Sequence, residues 1–343
     1  MIELYESQRA MRNMRKAAMQ RGVIAILDVG SAKIACLVLR FDGTEKVSDA
    51  GVGSLAGQSG FRVIGAATTR SRGVRFGEIA AMGETERAIR TALQSAQKMA
   101  GIRVDHVIAC FSGAEPRSYG LAGQVEVHGQ TVDEQDVARV LSACDVPDFG
   151  HGREVLHAQP VNFALDHRSG LSDPRGQIGH TLSTDMHMLT VDGQAIQNLA
   201  HCVKRCDLEL AGLASSAYVG GIAALVEDEQ QLGAACIDMG GGTTSVAIFA
   251  DRAFIHADSI PVGGHHVTMD IARGFSCRLE DAERLKVMQG SALATPADER
   301  DVIQVPAIGE DDYGQATQVP RSLLNRIIAA RVEETLEMLR DRI

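Results

Sequence analysis

The fold is decided by residues 236–249, CIDMGGGTTSVAIF. This stretch has the pattern of a buried strand, an acidic residue, three glycines with two threonines, and a second strand. Consecutive glycines leave their backbone N–H groups accessible, and clusters of N–H groups bind anions such as phosphates. Asp238, where the first strand ends, would repel a phosphate unless a hydrated Mg²⁺ lay between them. The stretch indicates Mg-nucleotide binding, although a plain hairpin turn with a solvated aspartate explains it equally well.

A second copy of the pattern favours phosphate binding over the plain hairpin. Residues 24–39, IAILDVGSAKIACLVL, again contain an apolar strand, an aspartate, a glycine with small polar residues, and a second apolar strand. The two aspartates, Asp28 and Asp238, lie roughly two hundred positions apart, far beyond the repeat period of a solenoid. The repeat therefore predicts two similar lobes, each of which offers a phosphate-binding hairpin to a shared cleft.

Composition excludes several classes of function. The chain has 343 residues, of which 45% are hydrophobic, enough for about two or three domains. A net charge of −10, the absence of Trp and an aromatic content of 4% argue against nucleic-acid binding, which depends on basic patches and stacking. The seven cysteines are scattered without a CxxC pair, which fits a reducing compartment rather than a disulfide framework. The sequence contains neither a transmembrane run nor a signal-peptide core.

Hydrophobic periodicity predicts the remaining elements. Strands are predicted at 61–68, 104–111, 124–127, 155–165, 186–191 and 253–260. Helices are predicted at 84–100, 131–144, 195–206, 266–273, 279–290 and 322–342. The second of these helices should begin with a capping box of Thr131 and Glu134. Residues 166–179 are predicted as loop, and residues 291–320 as loops with short extended pieces.

Two groups of residues have competing interpretations. His201, Cys202 and Cys206 have a helical spacing that could ligate a metal, but cysteines on an apolar helix face more often pack in the core. His265 and His266 could be catalytic, but adjacent residues on a helix do not face the same way. We therefore favour core packing for the first group and polar residues at a helix start for the second.

The two hairpins, at 28–33 and 238–243, resemble the phosphate motifs of the actin/Hsp70/sugar-kinase superfamily. Within that superfamily the chain resembles FtsA, the bacterial actin-like cell-division family. Further stretches that carry the likeness are residues 79–101, 155–160 with 164–166, 211–216 and 260–272. The strand–helix–strand insert at 104–182 is similar to subdomain 1C of FtsA, whereas the phosphate motifs alone indicate only the superfamily.

The resemblance implies an α/β chain with a two-lobed actin-like (ribonuclease-H-like) ATPase fold and an α+β, SHS2-like 1C insert in the first lobe. The implied parts are a basic N-terminal extension at 1–21, subdomain 1A at 22–103 and 183–218, 1C at 104–182, 2A at 219–261, 2B at 262–325 and the start of a return to 2A at 326–343. The extension is Met-rich and lies outside the family core. It is either a frayed tail or a short helix that touches an acidic partner or a lipid surface.

The resemblance also implies ATP and Mg²⁺ as cofactors. The implied phosphate ligands are Gly30, Ser31, Lys33, Gly240, Gly241, Gly242 and Thr243. Asp28 and Asp238 would hold Mg²⁺ through water, and Glu283 and Lys286 would border the ribose and adenine. Hydrolysis needs a residue that positions the attacking water. The sequence offers no clear candidate for that role and no catalytic residue is assigned, so we expect ATP binding with at most weak ATPase activity.

The family implies macromolecular partners rather than small substrates. The protein would polymerise into actin-like protofilaments on the cytoplasmic face of the inner membrane at the division site. The C-terminal tail of FtsZ would dock on subdomain 2B, and subdomain 1C would recruit downstream divisome proteins. Membrane lipid would be bound through a C-terminal amphipathic helix. No nucleic-acid partner is expected.

Two family features have no counterpart in this sequence. A strand–Gly-Gly–helix segment closes the adenine pocket in the superfamily, but the final glycine here is Gly314, and the amphipathic C-terminal helix is also missing. We therefore expect a truncated chain with weak ATP affinity and poor solubility. The rival interpretations are a PilM-like pilus-assembly adaptor and an actin-fold small-molecule kinase. A kinase needs an acidic base near its substrate hydroxyl, and the sequence offers none that is not already assigned to Mg²⁺.

Overall fold

The computed structural model describes residues 11, 15–16, 19–20, 22–41, 60–128, 131–150, 152–293, 295–306 and 317–343. In the N-terminal extension, the described residues are Met11, Arg15, Lys16, Met19 and Gln20, and all of them are helical. The two methionines are half-buried and the other three side chains are exposed. The predicted contact of the extension with an acidic partner or a lipid surface stays a prediction. The rest of the extension lies outside the described residues, as does part of the segment predicted at 291–320.

The described residues form sixteen strands and eight α-helices. The strands are β1 Val23–Val29, β2 Lys33–Phe41, β3 Phe61–Arg70, β4 Val74–Arg75, β5 Glu78–Ile79, β6 His106–Phe111, β7 Arg117–Glu126, β8 Arg153–Leu165, β9 Arg168–Leu171, β10 Thr181–Asp192, β11 Glu209–Ser215, β12 Ala234–Met239, β13 Thr244–Ala250, β14 Ala253–Ile260, β15 Val302–Val305 and β16 Thr317–Pro320. The helices are α1 Met82–Ala100, α2 Glu134–Ser142, α3 Gly193–Arg205, α4 Ser216–Ala224, α5 Glu227–Leu232, α6 Gly264–Phe275, α7 Leu279–Gln289 and α8 Arg321–Arg340, with a short 3₁₀ turn at Pro296–Glu299.

The first sheet contains five strands in the order β11-β6-β1-β2-β3. β1, β2 and β3 form an antiparallel meander, and β6 and β11 extend it through parallel pairing. Alternate residues such as Leu27 and Ile34 are fully buried, because they share a core with α1 and α3. α1 contributes Ile89 and Leu93 at helical spacing and ends at Gly101, whose φ of 67° is left-handed.

The second sheet has the order β7-β10-β8-β9, with antiparallel pairing throughout. Val140 of α2 packs in one core with Phe163 and Leu182 of the sheet. β9 lies inside residues 166–179, so the prediction of a continuous loop there was wrong. A two-residue turn that begins at Asp166, with φ of 53°, folds β9 back onto β8. The polar, Gly-rich composition of the segment conceals this hairpin.

The helix α2 begins with a capping box, but two residues later than the sequence predicts. The Asp133 side chain accepts a hydrogen bond from the Asp136 N–H at 2.8 Å, and the Asp136 side chain accepts one from the Asp133 N–H at 3.1 Å. Thr131 instead forms an isolated antiparallel bridge with Ile178. The predicted capping box of Thr131 and Glu134 was wrong, because Thr131 pairs with a residue far away in the sequence instead of capping the helix.

The third sheet has the order β12-β13-β14. It falls mostly in the first of the two compact units into which the chain divides. The first unit comprises Met1–Asp238 and Ser245–Ser259, and the second comprises Met239–Thr244 and Ile260–Ile343. The subdomain boundaries inferred from the sequence stay a prediction.

The second unit has its own hydrophobic core. Ile271 of α6, Leu285 of α7 and Leu324 of α8 are buried together in it. β15 and β16 pair antiparallel and bury Ile303 and Val305 against this core, so they supply the short extended pieces that the sequence predicts there. In the part of the chain that the structure describes, no helix is long and apolar enough to cross a membrane.

Candidate functional site

The first hairpin is a tight turn with a carboxylate beside it. The Gly30 N–H donates a hydrogen bond to the Lys33 carbonyl oxygen at 3.2 Å. A Cβ at Gly30 would lie only 3.1 Å from that oxygen, so a larger residue would crowd the turn. Asp28 precedes the turn, pairs with Ala35 on β2 and is half-buried. The structure therefore places Asp28, Gly30 and Lys33 together, as the sequence pattern predicts.

The carboxyl group of Asp28 has an unfavourable electrostatic environment. Burial raises its pKa, repulsion from the Asp238 carboxylate raises the pKa further, and attraction to Lys33 partly opposes both effects. A divalent cation near the two carboxylates would remove their repulsion. One or two carboxylates, completed by water and phosphate oxygens, are the ligands that Mg²⁺ commonly takes in nucleotide sites. The donor set therefore fits the magnesium ion that the resemblance implies.

Ser31 is held from outside its own hairpin. Its Oγ accepts a hydrogen bond at 2.9 Å from the N–H of Gly77, in the turn between β4 and β5. Gly77 has φ of 76°, and a Cβ there would lie 2.5 Å from the backbone nitrogen of Gly113, so this position requires glycine. The role of Gly77 could not be predicted from the sequence, because no local pattern reports a contact between residues 46 positions apart.

The second hairpin closes in the same way as the first. The Gly240 N–H donates to the Thr243 carbonyl oxygen at 2.9 Å, and the side chain of Thr243 is buried. The next residue, Thr244, is fully buried, and its hydroxyl donates to the Val262 carbonyl oxygen at 2.8 Å. These contacts fix the glycine turn to the segment that leads into α6.

The carbonyl groups of this turn face the start of α6. The Gly240 carbonyl oxygen accepts a hydrogen bond from the Gly264 N–H at 2.9 Å, and the Gly241 carbonyl oxygen accepts one from the His265 N–H at 2.8 Å. In a trans peptide the carbonyl and the following N–H point in opposite directions. The N–H groups of Gly241 and Gly242 therefore point away from α6. Adjacent N–H groups with a common direction form an anion-binding surface.

Gly263 allows this close approach between the turn and α6. A Cβ at Gly263 would lie 2.5 Å from the Gly240 carbonyl oxygen and 2.9 Å from the Gly241 carbonyl group. Its N–H donates to Nδ1 of His266 at 3.1 Å, which completes a cap at the start of α6. His266 thus has the helix-start role that we favoured over catalysis, and His265 is exposed.

Glu283 and Lys286 form an ion pair on α7 that also supports α6. Lys286 Nζ donates to Glu283 Oε2 at 2.7 Å, to Thr268 Oγ1 at 2.9 Å and to the Gly264 carbonyl oxygen at 3.1 Å. Burial raises the pKa of Glu283, but hydrogen bonds from Lys286 and Thr268 outweigh burial and leave that pKa below its usual value. Glu283 and Lys286 therefore lie on one face of α7, three residues apart. Their predicted contact with ribose and adenine stays a prediction.

The structure favours core packing for the candidate metal ligands on α3. Cys202 and Cys206 are buried, whereas His201 is exposed on the other side of the helix. Within the described ranges, no group of three or more His, Cys, Asp or Glu side chains is arranged to hold a metal ion. A bound Mg²⁺ would therefore need ligands from water and from a nucleotide in addition to Asp28 and Asp238.

The fold and the paired hairpins define the class of this protein. Its structure is similar to that of PilM in the PilM-PilN type IV pilus biogenesis complex, with a TM-score of 0.52 at 14% identity over 77% of this chain and 69% of that chain. It is also similar to MreB 5 of Spiroplasma citri bound to AMPPNP, with a TM-score of 0.50 at 14% identity over 93% and 78%. The chain has the actin-like ATPase fold, as the sequence predicts.

Sequence comparison identifies the family within this class. The family model of cell division protein FtsA matches residues 235–339, and that of the SHS2 domain inserted in FtsA matches residues 113–190. Cell division protein FtsA of Rhizobium meliloti is 45% identical over 94% of this chain and 72% of that protein. FtsA of Escherichia coli K12 is 29% identical over 95% and 74%. The chain belongs to the FtsA family of cell division proteins, and the predicted SHS2-like insert is confirmed.

Proposed function

We propose that this protein is an ATP-binding, actin-like adaptor of cell division. It polymerises at the membrane, tethers the FtsZ ring and recruits later divisome proteins. The observation that supports nucleotide binding is the direction of the Gly241 and Gly242 N–H groups, which their carbonyl contacts with α6 impose. Membership of the FtsA family supports the role in division.

MgATP would bind through the two hairpins. The backbone and side chains of Gly30, Ser31 and Lys33 would contact phosphate oxygens, and so would the backbone of residues 240–243. Asp28 and Asp238 would hold Mg²⁺ through water, which would relieve the repulsion between them. Glu283 and Lys286 would border the ribose and adenine. MreB 5 of Spiroplasma citri, which shares the fold, has been solved with AMPPNP bound.

The partners follow from the family. The C-terminal tail of FtsZ would dock on residues 262–325, a second copy of the chain would extend a protofilament, and the SHS2 insert would bind downstream divisome proteins. The location is the cytoplasmic face of the inner membrane at the division site. The adaptor role needs no turnover, so the ATPase activity would be weak at most.

Pelleting with FtsZ filaments tests this function. We expect the chain to co-sediment with full-length FtsZ and to remain in the supernatant with FtsZ that lacks its C-terminal tail. Filaments without the tail serve as the matched control, because they differ from the full-length filaments only in the tail. Absent or tail-independent binding would contradict the proposal and would favour a pilus-assembly adaptor of the PilM type, with which the chain shares its fold.

A further inference from the structure

Two cations lie directly opposite each other at the end of the first hairpin. Lys33, the first residue of β2, pairs with Arg70, the last residue of β3, in the antiparallel register. Directly opposed residues project from the same face of a sheet, with Cβ atoms about 4.5–5.5 Å apart. The Ser71 N–H donates to the Ala32 carbonyl oxygen at 3.0 Å, so the register is fixed just beyond the pair. Both cationic side chains are exposed.

Neither Lys33 nor Arg70 forms a close ion pair in the part of the chain that the structure describes, although Asp28 attracts Lys33 at longer range. None of the ion pairs there, with N···O distances up to 4.0 Å, includes Lys33 or Arg70. Like charges that lie directly opposite in a sheet are destabilising. The two opposed charges of Lys33 and Arg70 therefore repel each other, and a bound anion would offset this repulsion.

The pair shares a face of the sheet with Asp28. Asp28 pairs with Ala35, and Ala35 pairs with Thr68, so these three residues point to one side. Lys33 is two residues from Ala35 on β2, and Arg70 is two residues from Thr68 on β3. Side chains two residues apart in a strand share a face. The opposite side of the sheet is the buried one, which α1 and α3 cover. Arg70 thus lies on the side of the sheet that carries the proposed magnesium ligand.

A second pair of opposed cations on β2 and β3 lies too far from the first hairpin to bind the same ligand. Arg40 and Arg62 also lie opposite each other, near the other end of the same two strands. Arg62 is engaged in an interaction within the fold, and the pair lies about seven residues along β2 from Lys33, roughly 23 Å at the rise of a strand. Arg40 and Arg62 therefore cannot serve the same ligand as Lys33.

We propose that Arg70 is a phosphate-binding residue of the nucleotide site, acting beside Lys33. This inference rests on the proposed function, since it assigns a further ligand to the same site. The two side chains would have different roles. An arginine fork can donate two parallel hydrogen bonds to phosphate oxygens, whereas a lysine acts as a point charge. Nothing in the β1–β2 hairpin motif itself marks Arg70, because it belongs to the next strand.

The test is a comparison of Arg70→Gln with the wild-type chain. We expect Arg70→Gln to weaken MgATP binding by about tenfold, the usual effect of losing one charged hydrogen bond to a ligand. The affinity for adenosine, measured by competition, should stay within about twofold because adenosine has no phosphate. Arg70→Lys should restore part of the MgATP affinity, since it keeps the charge and loses the fork.

Arg87→Gln is the matched control. Arg87 is exposed on α1, which covers the other side of the sheet, and its loss changes the net charge equally. Its MgATP affinity should equal that of the wild-type chain. Wild-type affinity in Arg70→Gln, or an equal loss in both variants, would overturn the assignment of Arg70 and leave the proposed function standing. A wild-type chain that binds no MgATP would overturn both.

Discussion

Asp28 occupies a position that costs the folded protein stability. Its pKa is raised by burial and by repulsion from Asp238, so its charged form is less favourable in the folded state than in the unfolded chain. When the pKa of an acidic group is higher in the folded protein than in the unfolded chain, the protein loses stability as the pH rises from the unfolded pKa to the folded pKa. The penalty is fully present once the pH exceeds the raised folded pKa of Asp28. A bound cation would offset this penalty. An aspartate at position 28 is therefore better explained by ligand binding than by the stability of the fold.

We predict that Asp28→Asn stabilises the ligand-free protein and weakens its binding of MgATP. The neutral amide removes both the desolvation of a charge and the repulsion from Asp238. Tm should rise by about 1–2 °C, a gain below about 1 kcal/mol for a chain of this size, while MgATP affinity should fall at least about tenfold. Differential scanning calorimetry and nucleotide titration measure the two effects. Asp105→Asn, at an exposed position, should change neither, and a lower Tm for Asp28→Asn would contradict this account.

A second prediction concerns the contact between the glycine turn and α6. Gly263→Ala places a methyl group where backbone atoms lie 2.5 to 2.9 Å away, so the turn must move and its two hydrogen bonds to α6 must lengthen. Overpacking of this kind costs about 1–3 kcal/mol, and MgATP affinity should fall about tenfold or more. Chemical denaturation and nucleotide titration provide the readouts.

Gly83→Ala is the control for this substitution. Gly83 is in α1 with no atom within 4 Å of its Cβ position, so the added methyl group should stabilise the helix by about 0.5–1 kcal/mol. Normal nucleotide affinity in Gly263→Ala would show that the direction of the glycine N–H groups does not determine binding.

At the scale of the elements, β8, β10 and β14 bring together histidines that are buried as neutral side chains. Burial lowers the pKa of His157 on β8 and of His187 on β10 to about 4 each, with a further contribution from a neighbouring histidine in both cases. His187 packs edge-on against Phe254 of β14 at 4.6 Å between ring centroids. The Nε2 of His157 accepts a hydrogen bond from the Ser215 N–H at 3.1 Å. This packing is possible only while both rings carry no charge.

The third prediction is a loss of stability in mild acid. Above pH 6.5 the two histidines are neutral in the folded and the unfolded states, so their contribution is fully present. Between pH 6.5 and about 4 the unfolded chain binds protons that the folded protein excludes, and stability falls by up to about 1.4 kcal/mol per pH unit for each histidine. His187→Phe should remove one histidine's share of this slope. His201→Gln, at an exposed position, should leave the slope unchanged. The measurement is denaturation at several pH values. A slope that is unaltered in His187→Phe as well would contradict the prediction.

The elements also show how far sequence could predict this structure. The strand at 253–260 has the predicted bounds, and α1 ends at Gly101 as its helical spacing indicates, because local pattern determines both. The cap of α2 was misplaced because Thr131 pairs with Ile178, a contact that no local pattern reports. In the candidate site, a repeated motif predicted Asp28 and the glycine turn, and their role in binding stays a prediction. Gly77 and Thr268 were missed, because they support the site through contacts with residues far away in the sequence.

At the scale of the whole molecule, each of the two compact units has a hydrophobic core of its own. Leu27 is fully buried in the core of the first unit and Leu324 in that of the second. We predict that Leu324→Ala lowers the free energy of unfolding of the second unit by about 2–5 kcal/mol, with little change in the first. Leu27→Ala should do the reverse. Hydrogen exchange resolved along the chain would locate each effect, and equal loss of protection in both units would contradict the prediction.

The contacts of Lys286 connect three elements of the second unit in series. Its ammonium group on α7 binds the carbonyl of Gly264 at the first turn of α6, and the N–H of the same glycine binds the carbonyl of Gly240 in the turn. A protein that docks on α7 and tilts it would therefore pull on the groups that orient the N–H donors of the turn. Coupling of this kind acts equally in both directions. Phosphate bound at the turn would change the affinity for the docked protein by the same factor by which the docked protein changes the affinity for phosphate. Through Lys286, a partner that never contacts the nucleotide would therefore bind the nucleotide-bound and the nucleotide-free protein differently.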